Sequence, residues 1–109
     1  MSTEGYTKKN IVVDNRSFFV QIISFENGNF ISISEDGIKI GSMVVSLGTG
    51  PVPTTATVIP AKTDSLFLKL TAEKISTKKG IGIVSLYSKR ELGNETAKNL
   101  MGQIMELMH

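Results

Sequence analysis

The sequence predicts an α+β domain in which an antiparallel sheet of about six strands carries two helices on one face, in the order βββββαβα. The first half holds apolar stretches separated by turn dipeptides, which is typical of strands and hairpins. Two later segments carry apolar residues three and four positions apart, as amphipathic helices do. A length of 109 residues fits one hydrophobic core, so we expect a single domain over residues 10–109 after a flexible segment at 1–9.

The first half of the chain is expected to form an antiparallel meander. Its apolar stretches are rich in β-branched and aromatic residues, which favour strands. Asn27-Gly28 and Asp36-Gly37 are dipeptides that suit tight hairpin turns, so each is predicted to join two neighbouring strands. The strands of this half are predicted at residues 11–13, 17–25, 30–34, 38–47 and 55–59.

Two helices and one further strand are predicted in the second half. Thr63-Asp64 is expected to cap the first helix, which ends at Gly80 because glycine is a common stop signal. Residues 81–87 follow as a strand. The second helix begins either at a capping box over residues 88–91 or at Gly93-Asn94. Its apolar stripe consists of Ala97, Leu100, Met101, Ile104 and Met108.

Motifs for catalysis or metal binding are scarce in this sequence. It has no Cys, and its single His is His109 at the last position, which leaves thiol chemistry, thiolate metal sites and a Ser-His triad without support. Gly48-Thr49-Gly50 lacks the Lys-Ser/Thr of a phosphate-binding loop, and Glu35-Asp36 precedes a glycine, as turn residues do. We therefore expect no enzyme activity, no cofactor and no metal ion.

The charge and hydropathy patterns argue against two further classes. A net charge of +2 is too small to indicate nucleic-acid binding, and the lysines at 74, 78 and 79 are interpreted as a solvated helix end. No apolar run approaches the roughly 18–20 residues that span a bilayer, and the N-terminus lacks a signal-peptide pattern. The expected location is the cytoplasm or the nucleus.

The methionines of the second helix allow two interpretations. Met101, Met105 and Met108 resemble an adaptable binding surface, but their helical spacing is more typical of core packing.

The strands are apolar on both faces, which points to a partner. Two helices cover only one face, and a soluble monomer rarely leaves a large apolar patch in water. The purely apolar face is expected to pack against the helices, and it carries Phe18, Val20, Ile22, Met43, Val45 and Leu86. The face with more hydroxyl groups is expected to contact the partner, and it carries Gln21, Ser32, Ser42, Ser46 and Ser85. The alternative is a small closed barrel whose second face is only partly exposed.

Two segments resemble a known family. Phe30 to Leu47 is similar to the central hairpin of the small proteasome assembling chaperones, the third and fourth of that set. Both have an apolar strand, a turn containing glycine, and a strand with glycine and a small residue before apolar ones. Asp64 to Leu86 is closer to the fourth, with an Ala/Lys-rich helix end, a basic turn and an apolar strand containing Ser. The resemblance spans residues 10–108, and the chain lacks the penultimate Tyr of a different chaperone pair.

The resemblance implies a non-enzymatic assembly chaperone. Members of this family form a two-chain complex whose sheets face each other with the helices outside, and they hold α subunits of the proteasome core particle during ring formation. The partner is then either a second copy or a similar small chaperone. The residues facing it would be Phe19, Gln21, Ile23, Phe30, Ser32, Ile40, Ser42, Val44 and Ser46. The expected α-subunit contact is the loop Gly48, Thr49, Gly50, Pro51, Val52 and Pro53.

Two other classes of function stay open at this stage. A small nucleic-acid-binding barrel would interleave exposed aromatic residues with Lys and Arg on its strands, whereas these strands carry Phe with Ser. A ligand-binding domain would need convergent polar groups in a deep pocket, and no residue pattern indicates one.

Overall fold

The computed structural model describes residues 5–108 and contains the predicted elements in the predicted order. They are β1 (Tyr6–Val13), β2 (Arg16–Phe25), β3 (Gly28–Glu35), β4 (Ser42–Leu47), β5 (Thr54–Ile59), α1 (Ser65–Lys79), β6 (Ile81–Tyr87) and α2 (Asn94–Leu107). The α+β class is confirmed. β1 begins at Tyr6, so residues 6–9 of the segment predicted to be flexible lie in a strand. Residues 1–4 and 109 lie outside the described part of the chain.

All six strands form one sheet in the order β1-β2-β3-β6-β4-β5. Neighbouring strands are antiparallel except for β3 and β6, which are parallel. The predicted hairpin at Asp36-Gly37 is therefore wrong, because β6 lies between β3 and β4. Residues 36–41, named here the crossover segment, carry the chain past the end of β6 instead of turning it straight back.

Both helices pack on the same face of the sheet, named here the covered face. Side chains from the middle of the sheet, such as Val20, Ile31 and Val84, are fully buried there. From α1, Leu68 and Ile75 are fully buried, and from α2 the fully buried pair is Leu100 and Ile104. The two positions are seven residues apart on α1 and four apart on α2, so each pair lies on one side of its helix, and that side faces the sheet. Neither helix in residues 5–108 is long and apolar enough to cross a membrane.

The helix ends are formed differently from the prediction at one point. Gly80 ends α1 as expected, with a positive φ of 104° and its N–H bonded to the Ser76 carbonyl. Asp64 precedes α1 in the left-handed region, and its side chain does not cap the helix. Both carboxylate oxygens instead accept the Leu92 N–H at 3.2 Å, which fixes the chain ahead of α2. α2 begins at Asn94, the second of the two predicted starts.

A buried ion pair fixes the approach to α2 from the other side. Arg16 donates to both carboxylate oxygens of Glu35, at 3.0 and 2.8 Å, and also to the carbonyls of Arg90 and Glu91. Glu35 accepts a further bond from the Lys89 N–H at 2.9 Å. The bonds from Arg16 hold the pKa of Glu35 down at about 2. Glu35 is thus a structural anchor, in addition to ending β3 at the predicted turn.

Candidate protein interaction surface

The sheet face opposite the helices, named here the open face, carries large apolar side chains that nothing in residues 5–108 covers completely. The pairing register places Ile23 beside Phe30, and Phe30 beside Ile83 of β6. Ile83 in turn lies beside Val45 of β4. Ile23 is 39% exposed, and the other three are partly buried. Because side chains alternate along a strand, these residues all point away from the core.

Hydroxyl groups lie among these apolar side chains, and two of them bind the backbone of the crossover segment. The Ser34 Oγ accepts the Lys39 N–H at 3.0 Å, and the Ser85 Oγ accepts the Gly41 N–H at 3.2 Å. Both serines are 1% exposed, although they stand on the open face. The crossover segment therefore lies against this face at the end of β6. Its Lys39 and Gly41 amides are not paired with a neighbouring strand, and the serine hydroxyls accept their hydrogen bonds instead.

The crossover segment adds its own apolar side chains to the open face. Ile38 and Ile40 are 73% and 72% exposed, and they flank Lys39. The Lys39 Nζ lies 4.8 Å from the centre of the Tyr87 ring, within the range of a cation–π contact. Gly41 has no room for a side chain, because a Cβ there would collide with the Leu86 carbonyl. The segment is therefore held close to β6 at its end and presents two isoleucines outward.

The sheet and the crossover segment together enclose a shallow cavity of about 380 Å³. Its floor is formed by the middle of β2, β3 and β6, and its wall by the crossover segment. The lining residues are Gln21, Ile23, Phe30, Ser32, Ile38, Lys39, Ile40 and Ser85. Mixed aliphatic, aromatic and hydroxyl groups of this kind suit contact between two separately folded surfaces.

The structure brings together six of the nine residues predicted to face a partner chain. Phe19, Gln21, Ile23, Phe30, Ser32 and Ile40 lie on the open face or in the crossover segment beside it. The prediction is wrong for the other three, Ser42, Val44 and Ser46, which point to the covered face. Val44 is 4% exposed, and the Ser46 Oγ lies 3.0 Å from the Ser76 Oγ of α1.

The error in β4 has a simple geometric cause. Counting in twos from Ile40 to Val44 assumes a continuous strand, but the chain is irregular as far as Gly41 and β4 begins only at Ser42. The interruption places Ile40 and Val44 on opposite sides of the sheet. Met43 and Val45, which were expected in the core, consequently lie on the open face. Gly41 is the signal that indicates this break, because glycine inside an apparent strand often marks an irregularity.

The predicted contact loop, residues 48–53, joins β4 to β5 at the surface. Gly48 is fixed by a 2.7 Å bond from its N–H to the Gly80 carbonyl, and a Cβ there would collide with the Ser76 carbonyl. Thr49, Gly50, Pro51 and Val52 are exposed. The loop lies beside the C-terminal end of α1, away from the cavity on the open face.

Within residues 5–108, neither the open face nor the contact loop carries a cluster of acidic side chains that could bind a metal ion. Glu35, whose pKa is lowered, is buried with Arg16. Its carboxylate accepts hydrogen bonds from Arg16 of β2 and from the Lys89 N–H in the segment between β6 and α2, so it has a structural role. The arrangement on the open face can therefore exclude water against an apolar partner, and it offers hydroxyl groups for orientation.

The fold has a counterpart among solved structures. No protein-family model matches this chain, and no curated protein matches it. One solved structure that it resembles is the crystal structure of a novel chaperone complex for yeast 20S proteasome assembly, with a TM-score of 0.66 and 13% sequence identity. The match covers 94% of this chain and 96% of the chain in that complex, so the two share one fold over nearly their whole length.

Proposed function

We propose that this protein is a non-enzymatic assembly chaperone that pairs through its open face with a second small chaperone. The pair holds α subunits of the proteasome core particle while the α ring forms. The observation that carries the proposal is the apolar open face, on a fold shared with a chain of the yeast assembly complex. The shared fold supports a role in assembly, and the uncovered face supports pairing.

The composition of the open face favours pairing with another apolar sheet. Within the described residues 5–108, Lys8 is the only charged strand residue that points to the open face. Covering this face therefore removes few charges from water. Six strands about 4.8 Å apart present a face of roughly 600 Å² in projection. With the relief of the side chains, this is comparable to the about 800 Å² per partner of a standard interface. The exposed isoleucines of the crossover segment extend the surface.

The contact with an α subunit is assigned to the loop at residues 48–53. Its exposed middle is free to adapt to a client, while Gly48 is fixed to α1 by close contact. A loop on a rigid base can be ordered on binding and released again without disturbing the sheet. This position also leaves the loop accessible when the open face is covered by the second chaperone.

The proposal is tested by recovering partners from the cells in which the protein occurs. Tagged wild-type protein is expected to retain a second small chaperone and proteasome α subunits, identified by mass spectrometry. Ile40→Asp is expected to lose the small chaperone, because the charge would be buried against an apolar surface. Leu66→Asp is a matched control, since Leu66 is 66% exposed on α1 at the opposite side of the molecule, and it should retain the chaperone.

Three outcomes would contradict the proposal. The first is a wild-type chain that stays monomeric at high micromolar concentration by light scattering and that recovers neither a small chaperone nor proteasome α subunits. Equal loss of pairing in Ile40→Asp and Leu66→Asp would show that the open face is not the pairing surface. Binding to a single-stranded oligonucleotide that weakens steeply with salt would favour the nucleic-acid alternative.

A further inference from the structure

We infer that the groove between α1 and α2, on the side away from the open face, is a second docking site whose occupant is an acidic amphipathic helix of a partner protein. This inference does not depend on the proposed function. The groove and the open face lie on opposite sides of the molecule, so a variant can disable either one alone.

Two parallel rows of side chains form the walls of the groove. Leu66, Leu70 and Lys74 follow each other at four-residue intervals along α1, and Ala97, Met101 and Met105 do so along α2. Residues four apart lie on one side of a helix, and eight residues span about 12 Å. The walls enclose a cavity of about 430 Å³. A neighbouring cavity of about 550 Å³ shares Leu70, Lys74 and Met105 with it and continues the groove to Pro53.

The apolar residues of the groove are not accounted for by the core. α1 already buries Phe67, Leu68 and Ile75 against the sheet, yet Leu66 and Leu70 are 66% and 43% exposed on its other side. Met101 and Met105 pack against the core at one end and line the groove at the other. Methionine side chains are flexible and adapt to irregular apolar partners. The methionine stripe of α2 thus serves as core filler and as binding surface together.

The charges around the groove select its occupant. Lys74 and Lys98 line the first cavity, and Lys78 lines the second. The carboxylate at the second cavity, Glu73, accepts a 2.9 Å bond from the Thr55 hydroxyl. An apolar groove flanked by lysines is complementary to a helix whose apolar stripe is flanked by Asp or Glu. A flat lipid surface would contact the exposed rim of the groove, whereas a helix can enter the cavity between α1 and α2.

The probe is a fluorescein-labelled synthetic peptide of 16 residues, with leucines at helical spacing flanked by glutamates. The comparison peptide carries lysine in place of every glutamate. Fluorescence anisotropy is expected to show at least tenfold tighter binding of the glutamate peptide. Leu70→Ser and the double variant Lys74→Glu/Lys98→Glu should each weaken that binding at least tenfold. Lys69→Glu reverses one lysine on another side of α1 and should alter the binding less than twofold. The single variants Lys74→Glu and Lys98→Glu, which carry the same change of charge as Lys69→Glu, should each weaken it more. Circular dichroism verifies that each variant is folded.

Several results would overturn the inference. Equal binding of both peptides would exclude selection by charge. Binding that survives in Leu70→Ser but is lost in Ile40→Asp would locate the peptide on the open face. Binding of phosphatidylserine vesicles without binding of the glutamate peptide would identify a membrane surface. Methyl NMR signals of Met101 and Met105 that do not move on peptide addition would exclude the groove itself.

Discussion

The two faces of the sheet are built from the same kinds of residue and differ in what covers them. Val44 and Val45 are neighbours in β4, yet Val44 is buried beneath α1, while Val45 is only partly buried on the open face. Burial of apolar surface stabilises by about 25 cal/mol per Å² only when water is excluded. The covered face therefore stabilises the isolated chain, while the open face gains the same contribution only where another surface covers it. Substitutions on the two faces should separate folding from pairing.

The largest expected difference between the faces is that between Val44→Asp and Ile40→Asp. Val44 is 4% exposed beneath α1, and a carboxylate there would be removed from most of its hydrating water, so we expect a loss of about 4 kcal/mol in the free energy of unfolding. Ile40 is 72% exposed, and its replacement should change stability by less than about 0.5 kcal/mol. Urea denaturation followed by circular dichroism measures both. Similar losses for the two variants would contradict the assignment of faces.

Local patterns along the sequence were sufficient for the elements but not for their neighbours in the sheet. Helix α1 ends at Gly80 and β6 spans residues 81–87 as predicted, because stop signals and apolar runs act over a few residues. The pairing of β3 with β6 joins residues about fifty positions apart, and no turn signal records it. β6 is apolar along most of its length because it lies in the middle of the sheet, between β3 and β4.

The candidate surface was predictable where strands are regular and unpredictable where they are not. On β2 and β3, alternation from Phe19 through Ser32 places each residue on the correct face, because pairing in register preserves the period of two. Across the crossover segment the period is lost. The hydroxyls of Ser34 and Ser85 bind amides there, and such contacts depend on folding that the local sequence does not show.

The second expected effect is a pH dependence of stability that comes from the Arg16–Glu35 ion pair at the edge of the covered face, and that its apolar centre does not share. The folded-state pKa of Glu35 is about 2, below its ordinary value of 4.5, so the folded chain prefers the ionised form. This contribution is present above pH about 4.5 and is lost as the pH falls towards 2, and the shift corresponds to about 3 kcal/mol. Chemical denaturation of the wild type and Glu35→Gln at several pH values measures it. The wild type should be more stable at neutral pH, with a difference that shrinks on acidification; a difference independent of pH would contradict the assignment.

The smallest effect tests how the crossover segment is held against the open face. A Cβ at Gly41 would meet the Leu86 carbonyl, which is fixed in the sheet, so Gly41→Ala must displace either β6 or the segment. Overpacking of this kind costs about 1–3 kcal/mol, and we expect a loss near the middle of that range. Gly37→Ala is the matched control, because nothing lies within 4 Å of a Cβ there, and it should leave stability within about 0.5 kcal/mol.

Hydrogen exchange shows which of the two elements moves in Gly41→Ala. The Lys39 and Gly41 amides donate to serine hydroxyls of the sheet, so displacement of the segment should speed their exchange while the amides of β6 stay protected. Faster exchange in β6 instead would mean that the strand is the weaker element and that the segment is fixed independently of it. Displacement of the segment also moves Ile40, so Gly41→Ala should weaken pairing through the open face more than Gly37→Ala does.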